Sequence, residues 1–272
     1  MPYAIVLTTY DLKTPSLRSI NGAQLQGAFL DLIRRIAPEL STELHAGDAL
    51  RPYALSMLLP GYGQESARLL SRLVLRIACL DDRIYPALVQ NILVNEKESL
   101  RIGKVEFCIA ELIAVSEKKP TWVGFATYQD IITSAQEAAD QSNFIEIEFA
   151  TPTIFTQGPR GDTPLPLPES VFGGLARRWN SAPEVPLLVP DGFQNEVYEY
   201  VTVSRFHGET LTVDIGDQLK KTGFVGRVTY RIHNPKLLFW CHLMGESSFF
   251  SGLGAKTSRG LGCVRKVHPA SK

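Results

Sequence analysis

Net charge is what this sequence lacks most plainly, because 28 lysines and arginines cancel 28 aspartates and glutamates. A chain that is basic throughout is thereby excluded, and a polyanionic partner would have to be met by a local patch. Long apolar runs are missing too. No stretch approaches the roughly 20 consecutive apolar residues of a membrane-spanning helix, so no membrane partner is expected. The N-terminal Met-Pro-Tyr-Ala-Ile-Val-Leu has no basic lead-in and reads as a strand rather than a secretion signal. Cysteine is scarce and scattered: Cys79, Cys108, Cys241 and Cys263 form no Cys-x-x-Cys pair. That argues against a thiolate zinc site and points to a reducing compartment, the cytoplasm. There is no carboxylate cluster suited to a divalent metal, and no cofactor is expected. With 44% hydrophobic residues, the 272-residue chain can still bury a sizeable core, as one large domain or two small ones.

What the chain does have is glycine, concentrated near its end. Gly252-Leu253-Gly254-Ala255-Lys256-Thr257-Ser258-Arg259-Gly260-Leu261-Gly262 sets two Gly-Leu-Gly triplets around an insert with two cations and two hydroxyls. Glycines this dense bring backbone N–H groups close to a ligand, and Lys256 and Arg259 beside them suit a phosphate. A P-loop is excluded because Ala255 stands where glycine must precede Lys-Thr. A dinucleotide fingerprint is excluded because Thr257 or Arg265 occupies the place of its third glycine. A plain turn between a helix and a strand is the other reading. Charge distribution favours the ligand. From Leu219 to Lys272 there are ten lysines and arginines but a single acid, Glu246. Arg227 and Arg231 alternate onto one face of an expected strand, and Arg265 extends the patch. Arg160, in a proline-rich loop, is a further reach-over contact.

In chain order the periodicities predict a βαββαβ unit over residues 1–116. It comprises a strand at 3–10, a helix at 21–38, strands at 52–59 and 72–80, a helix from 81 or 82 to 93, and one long strand at 100–115. A linker is expected at Glu117-Lys118-Lys119-Pro120, and the pattern repeats over 121–272 with extra elements at its start. In this second half strands are expected at 144–156, 197–206, 223–232 and 263–267. Helices are expected at 127–139, 169–179 and 235–244. The fold class is therefore α+β, two tandem ferredoxin-like units ending in the glycine-rich loop.

For chemistry, His45 falls in an expected loop between the first helix and second strand, with Arg51 shortly after. A histidine can take a proton from one oxygen and return it to another, while a guanidinium steadies charge on a reacting phosphate. The pair suits RNA cleavage by the RNA's own 2′-hydroxyl. A solvated, inert loop histidine is the alternative. None of His207, His233, His242 and His268 combines a loop setting with a cation in matching order. Phe249 and Phe250, next to the glycine loop, are base-stacking or core residues, and Trp122, Trp179 and Trp240 read as core.

The double Gly-Leu-Gly with a cation-bearing insert, lying before a short final strand, resembles the C-terminal signature of the RAMP superfamily of CRISPR-associated proteins. More closely, the chain is similar to the repeat-RNA processing endoribonuclease, the sixth Cas family. His45 and the strand opening Arg51-Pro52-Tyr53 match that family's catalytic region, with arginine where many members have lysine. Residues 21–38 contain no counterpart of the tyrosine that some members use, and Tyr53 is the substitute. The resemblance implies tandem ferredoxin-like units in a prokaryotic cytoplasm. It also implies metal-independent cleavage of CRISPR precursor RNA at the 3′ base of a repeat hairpin, leaving a 2′,3′-cyclic phosphate and a 5′-hydroxyl. His45, Arg51 and Tyr53 would be catalytic. Gly252, Gly254, Lys256, Thr257, Ser258, Arg259, Gly260 and Gly262, with Arg227, Arg231, Arg265 and Arg160, would hold the RNA. The alternatives are a non-catalytic RAMP-fold RNA-binding subunit of a Cas effector complex and an unrelated α+β protein binding a small anion. Monomer and homodimer are both left open.

Overall fold

The computed structural model describes residues 1–11, 20–46, 50–57, 73–94, 99–115 and 122–268. Its first unit runs β1 (Tyr3–Asp11), α1 (Gly22–Arg34), α2 (Pro38–His45), β2 (Tyr53–Met57), β3 (Val74–Cys79), α3 (Ile84–Val94), β4 (Ser99–Ile102) and β5 (Val105–Ile113). The strands form an antiparallel sheet in the order β2-β3-β1-β5-β4. That is the split βαββαβ arrangement with an added edge strand. Asn21 caps α1 through the Gln24 amide, and the Gln24 side chain returns to the Asn21 N–H.

Two local expectations change. Residues 100–115 form a hairpin rather than one strand, because Gly103 takes φ 62° and turns the chain. The stretch ending at His45 is helical, not a loop. The helix expected over 21–38 stops at Arg34, and Pro38, whose fixed φ and missing N–H suit a first turn, starts a second helix. The end of the strand expected at 52–59 and the 117–120 linker lie outside the described residues.

Next come β6 (Gly124–Phe125), which pairs with β1 of the first sheet, and α4 (Tyr128–Gln141). The second ferredoxin-like unit itself starts at β7 (Phe144–Thr153). After it come a small hairpin of β8 (Phe155–Thr156) and β9 (Asp162–Thr163), α5 (Pro168–Ser181), α6 (Phe193–Tyr200), β10 (Val201–Asp214), β11 (Lys220–Ile232), α7 (Leu238–Ser251) and β12 (Val264–Lys266). Its sheet order, β10-β11-β7-β12, repeats that of the first unit. Residues 197–200, expected in a strand, are the last turn of α6, with Val197 packed into the core.

Helix α7 ties the two units together. Its apolar residues run nearly all round: Cys241, Leu243, Met244 and Phe250 are all buried. A helix apolar on every side has to be covered on every side. Here it shares one cluster with Ile147, Phe149, Val228 and Tyr230 of the second sheet and with Ala4, Ala54 and Ala78 on the first sheet's inner face. The first sheet's other face buries Ile5, Leu7, Leu55 and Ile77 against Leu25, Phe29 and Leu88 of α1 and α3. Both sheets therefore depend on α7, and the glycine loop leaves from its end.

Candidate functional site

The loop from Gly252 to Gly262 is pinned from several directions. Its own amides at Gly252, Leu253, Ala255, Arg259 and Gly262 donate to Ser248, Gly262, Ile154, Lys256 and Pro152 carbonyls. Those five N–H groups are spent on the loop's own shape, which leaves its other amides and its cations to meet a ligand. At its middle, a short 3-10 turn, Thr257–Arg259, dips between α1 and β2. Gly22 of α1 lies so close that an added Cβ would meet the Arg259 carbonyl at 2.3 Å. Leu261 packs with Ile154 and with Ile215 at the tip of the β10–β11 hairpin.

The expected RNA-contacting residues consequently separate. Thr257 and Ser258 are buried at 3% and 6% exposure, and the Thr257 hydroxyl accepts from Arg178 Nη2 at 2.9 Å. Gly252 and Gly262 are buried as well. Lys256 is exposed, and at φ 57° it sits in the left-handed region at the apex. Arg259 is partly exposed; its Nη1 donates to Asp217 Oδ2 at 2.8 Å and its Nε to Gln26 Oε1 at 3.3 Å. Arg160 is exposed on the β8–β9 hairpin.

Arg227 and Arg231 do share a face, the outer face of the second sheet. Cross-strand register aligns Arg265 with Glu148, Glu148 with Arg227, and Arg227 with His207. In the neighbouring rows Arg205 stands opposite Thr229 and Thr202 opposite Arg231. Arg227 reaches Glu148 and Glu146 at 3.5 and 3.7 Å, and Arg231 lies over the Phe144 ring at 5.7 Å. Arg265 is the most engaged, paired with Glu148 at 2.7 Å and stacked 4.0 Å above the Trp122 ring. Arg205 and His207 on this face were missed by the sequence reading. A bulge between Val203 and Arg205 breaks the alternation, so a strict period of two assigns the wrong face.

His45 is the exposed last residue of α2. Arg51 Nη1 donates to the Leu44 carbonyl at 2.7 Å, satisfying one end carbonyl of that helix and holding the two catalytic candidates together. Tyr53 is not beside them in the open. It is 0% exposed, its ring packs on Phe29 at 4.6 Å, and its hydroxyl accepts from Gln26 Nε2 at 3.3 Å. Burial raises its pKa against the opposing pull of Gln26 and Arg51. A phenol enclosed in this way does not touch a substrate, so the catalytic assignment of Tyr53 gives way to a structural one. Gln26 then links the two halves of the site, with its amide nitrogen on Tyr53 and its oxygen on Arg259. The available signal was a glutamine next to Leu25 on the apolar face of α1.

Arg178 was also missed. It lies in the last turn of α5, 7% exposed, and donates to the Ser251 carbonyl at 3.3 Å, the Gly254 carbonyl at 3.1 Å and Thr257 Oγ1 at 2.9 Å. Burial pushes its guanidinium down to about 10, with Arg177 adding to the effect. Three of the other histidines have local partners. His242 Nε2 meets the Ser142 carbonyl at 2.8 Å, and burial drives its pKa down to about 4; His233 meets Thr202, and His268 meets Glu246. Phe249 stacks with Trp122 under the loop. Among the described residues, no group of three or more His, Cys, Asp or Glu is placed to hold a metal ion.

Two ferredoxin-like units share the helix from which the glycine loop leaves, and beside them His45 is exposed and Arg51 half-buried at the end of α2. The family model for the CRISPR Cas6 N-terminal domain matches residues 1–133, and that for the CRISPR-associated endoribonuclease Cas6 matches residues 147–264. The chain belongs to the Cas6 family of CRISPR-associated endoribonucleases. A Cas6 of Thermus thermophilus, solved as a product complex, superposes with TM-score 0.83 at 26% identity, covering 98% of this chain and 100% of that one. A second Cas6 product complex gives TM-score 0.76 at 28% identity over 98% and 99% of the two chains. A Cas6-related protein from Pyrococcus furiosus, at 15% identity, shares the fold with TM-score 0.61 over 98% and 99%. Comparison with curated protein sequences returns no match.

Proposed function

We propose that this protein cuts CRISPR precursor RNA within the repeat by the RNA's own 2′-hydroxyl, without a metal ion. The observation that carries this reading is a chain of contacts across the start of β2. Arg51 holds the end of α2 beside His45, and two residues on Tyr53 holds Gln26, which holds Arg259 of the glycine loop. A proton-transfer group and a phosphate-binding loop are thus tied to opposite sides of one short segment.

His45 removes the 2′-hydroxyl proton or supplies the proton to the departing 5′-oxygen. The freed 2′-oxygen attacks the adjacent phosphorus, the P–O5′ bond breaks, and a 2′,3′-cyclic phosphate and a 5′-hydroxyl result. Arg51 steadies the extra charge on the phosphorane oxygens with donors not used on Leu44. Lys256 and Arg259 grip the backbone, and Arg227, Arg231, Arg205 and His207 on the outer sheet face extend the grip. The partner is a repeat hairpin, and the cytoplasm of a prokaryote is where it is met.

The test is incubation with the host's repeat RNA in EDTA, beside an RNA carrying one 2′-deoxy nucleotide at the cut. Cleavage of the all-ribose RNA alone is the expected result. Cleavage of both, or a requirement for added metal, would sink the mechanism, and binding without cleavage would make the protein a RAMP-fold RNA-binding subunit.

Asp217 offers a smaller test. Its carboxylate, 62% exposed, occupies Arg259 much as a phosphate oxygen would. Exposed ion pairs are worth about 0.2–1 kcal/mol, so Asp217→Asn is expected to tighten RNA binding by about 1.4- to fivefold. Weaker binding in a titration with uncleavable RNA would show instead that Asp217 orients Arg259.

A further inference from the structure

The glycine loop is attached to the wrong end of a helix for an anion. Helix N-termini attract phosphate, but α7 presents its C-terminus, the end carrying about half a negative charge and the unpaired carbonyls. Phosphate at Lys256 and Arg259 would approach that negative end.

Two buried arginines, one from each unit, sit at this point. Arg76 of β3 is 1% exposed; its Nη2 donates to the Phe249 carbonyl at 2.5 Å and its Nε to the Trp122 carbonyl at 2.8 Å. Its guanidinium also lies 4.5 Å from the Phe249 ring centroid and 5.5 Å from that of Trp122. Arg178 comes from the opposite side to the Ser251 carbonyl, the next end carbonyl but one, and continues to Gly254 and Thr257. Neither forms an ion pair with a carboxylate among the described residues. Buried charges ordinarily come paired, because removing one from water is costly. Here the acceptors are carbonyls, one hydroxyl, the Cys263 thiol and aromatic faces, which leave two positive charges net.

We propose that Arg76 and Arg178 are positioning residues for RNA, reversing the sign of the α7 C-terminus so that the glycine loop becomes a seat for a phosphodiester. The inference rests on the reading of that loop as an RNA contact. It explains why the charge is carried by side chains that cannot reach the surface. Exposed cations would be screened, whereas charge enclosed in the protein acts on the loop through a medium that screens it far less.

The experiment separates charge from shape. Arg178→Lys, Arg178→Gln, Arg76→Lys and Arg76→Gln are compared for binding of the repeat hairpin with a 2′-deoxy nucleotide at the cut, at a temperature where each is folded. Lysine keeps the charge and loses the fork; glutamine keeps a donor and loses the charge. Both should lower the melting temperature, but the glutamine variants should bind RNA about tenfold more weakly than their lysine counterparts, as expected for the loss of one poorly screened charge. Equal affinity of the lysine and glutamine variants at both positions overturns the proposal and reduces the arginines to structural caps. The Arg76 pair decides the matter if the Arg178 variants do not fold. Lys256→Ala and Arg259→Ala are measured alongside. If both bind as tightly as the wild type, the loop does not hold RNA, and the reading of the site falls together with this inference.

Discussion

Gly262→Ala is expected to lower the unfolding free energy by about 2–5 kcal/mol and to remove RNA binding with it. Gly262 takes φ 70°, and a Cβ there would lie 1.9 Å from the Leu253 carbonyl oxygen. The first fact costs an L-residue about 1–2 kcal/mol, and the second forces apart two strands of the loop that are joined by the Leu253 N–H to Gly262 carbonyl bond. Neighbours give little room, since the Thr257 side chain stands 3.0 Å from the same Cβ. Urea unfolding measures the stability and a filter assay the binding. Gly158→Ala is the control, because φ is 56° there but nothing lies within 4 Å of the added carbon. Only the conformational part of the cost should appear, with binding intact. If the two variants behave alike, the close packing of the loop has no energetic weight.

His45→Ala is expected to slow cleavage by about 10²–10⁴-fold and leave RNA affinity within about twofold of the wild type. The side chain ends α2 exposed, outside the clusters that hold either unit together, so its removal opens no cavity. Single-turnover kinetics with saturating enzyme isolate the chemical step from release. A rate within a factor of a few of the wild type would transfer the proton-transfer role elsewhere. Loss of binding along with the rate would make His45 part of the grip instead.

The architecture could be read from sequence largely because both units follow strong local rules. The β-branched and apolar runs of β1, β3 and β7 and the spacing of Leu25, Phe29, Leu32 and Ile33 are unambiguous. The glycine loop stood out because its two Gly-Leu-Gly triplets are short-range features. Illegible features were those decided at a distance. The stretch 21–38 reads as one helix until the chain is seen to stop at Arg34 and start again at Pro38, packing through Leu44. The bulge in β10 hides Arg205 and His207 from any period count. Tyr53 shows why residue type alone misleads, since the same tyrosine is a catalyst if open and a wedge if enclosed. Arg178 and Gln26 carried no motif at all, and their importance comes from loop carbonyls and a second arginine brought up from far along the chain.

The place of α7 between the two sheets has a consequence for how the molecule is made. During synthesis the first sheet emerges long before residues 238–251, so its inner face, with Ala4, Ala54 and Ala78, waits bare until the helix leaves the ribosome. Docking of that one helix then closes both units and sets the glycine loop down on α1 and β2 in the same event. A nascent chain that stops short of this point holds the His45 segment but no loop to bring a phosphate to it. On the proposed function, the loop and the His45 segment therefore come together only once α7 has docked.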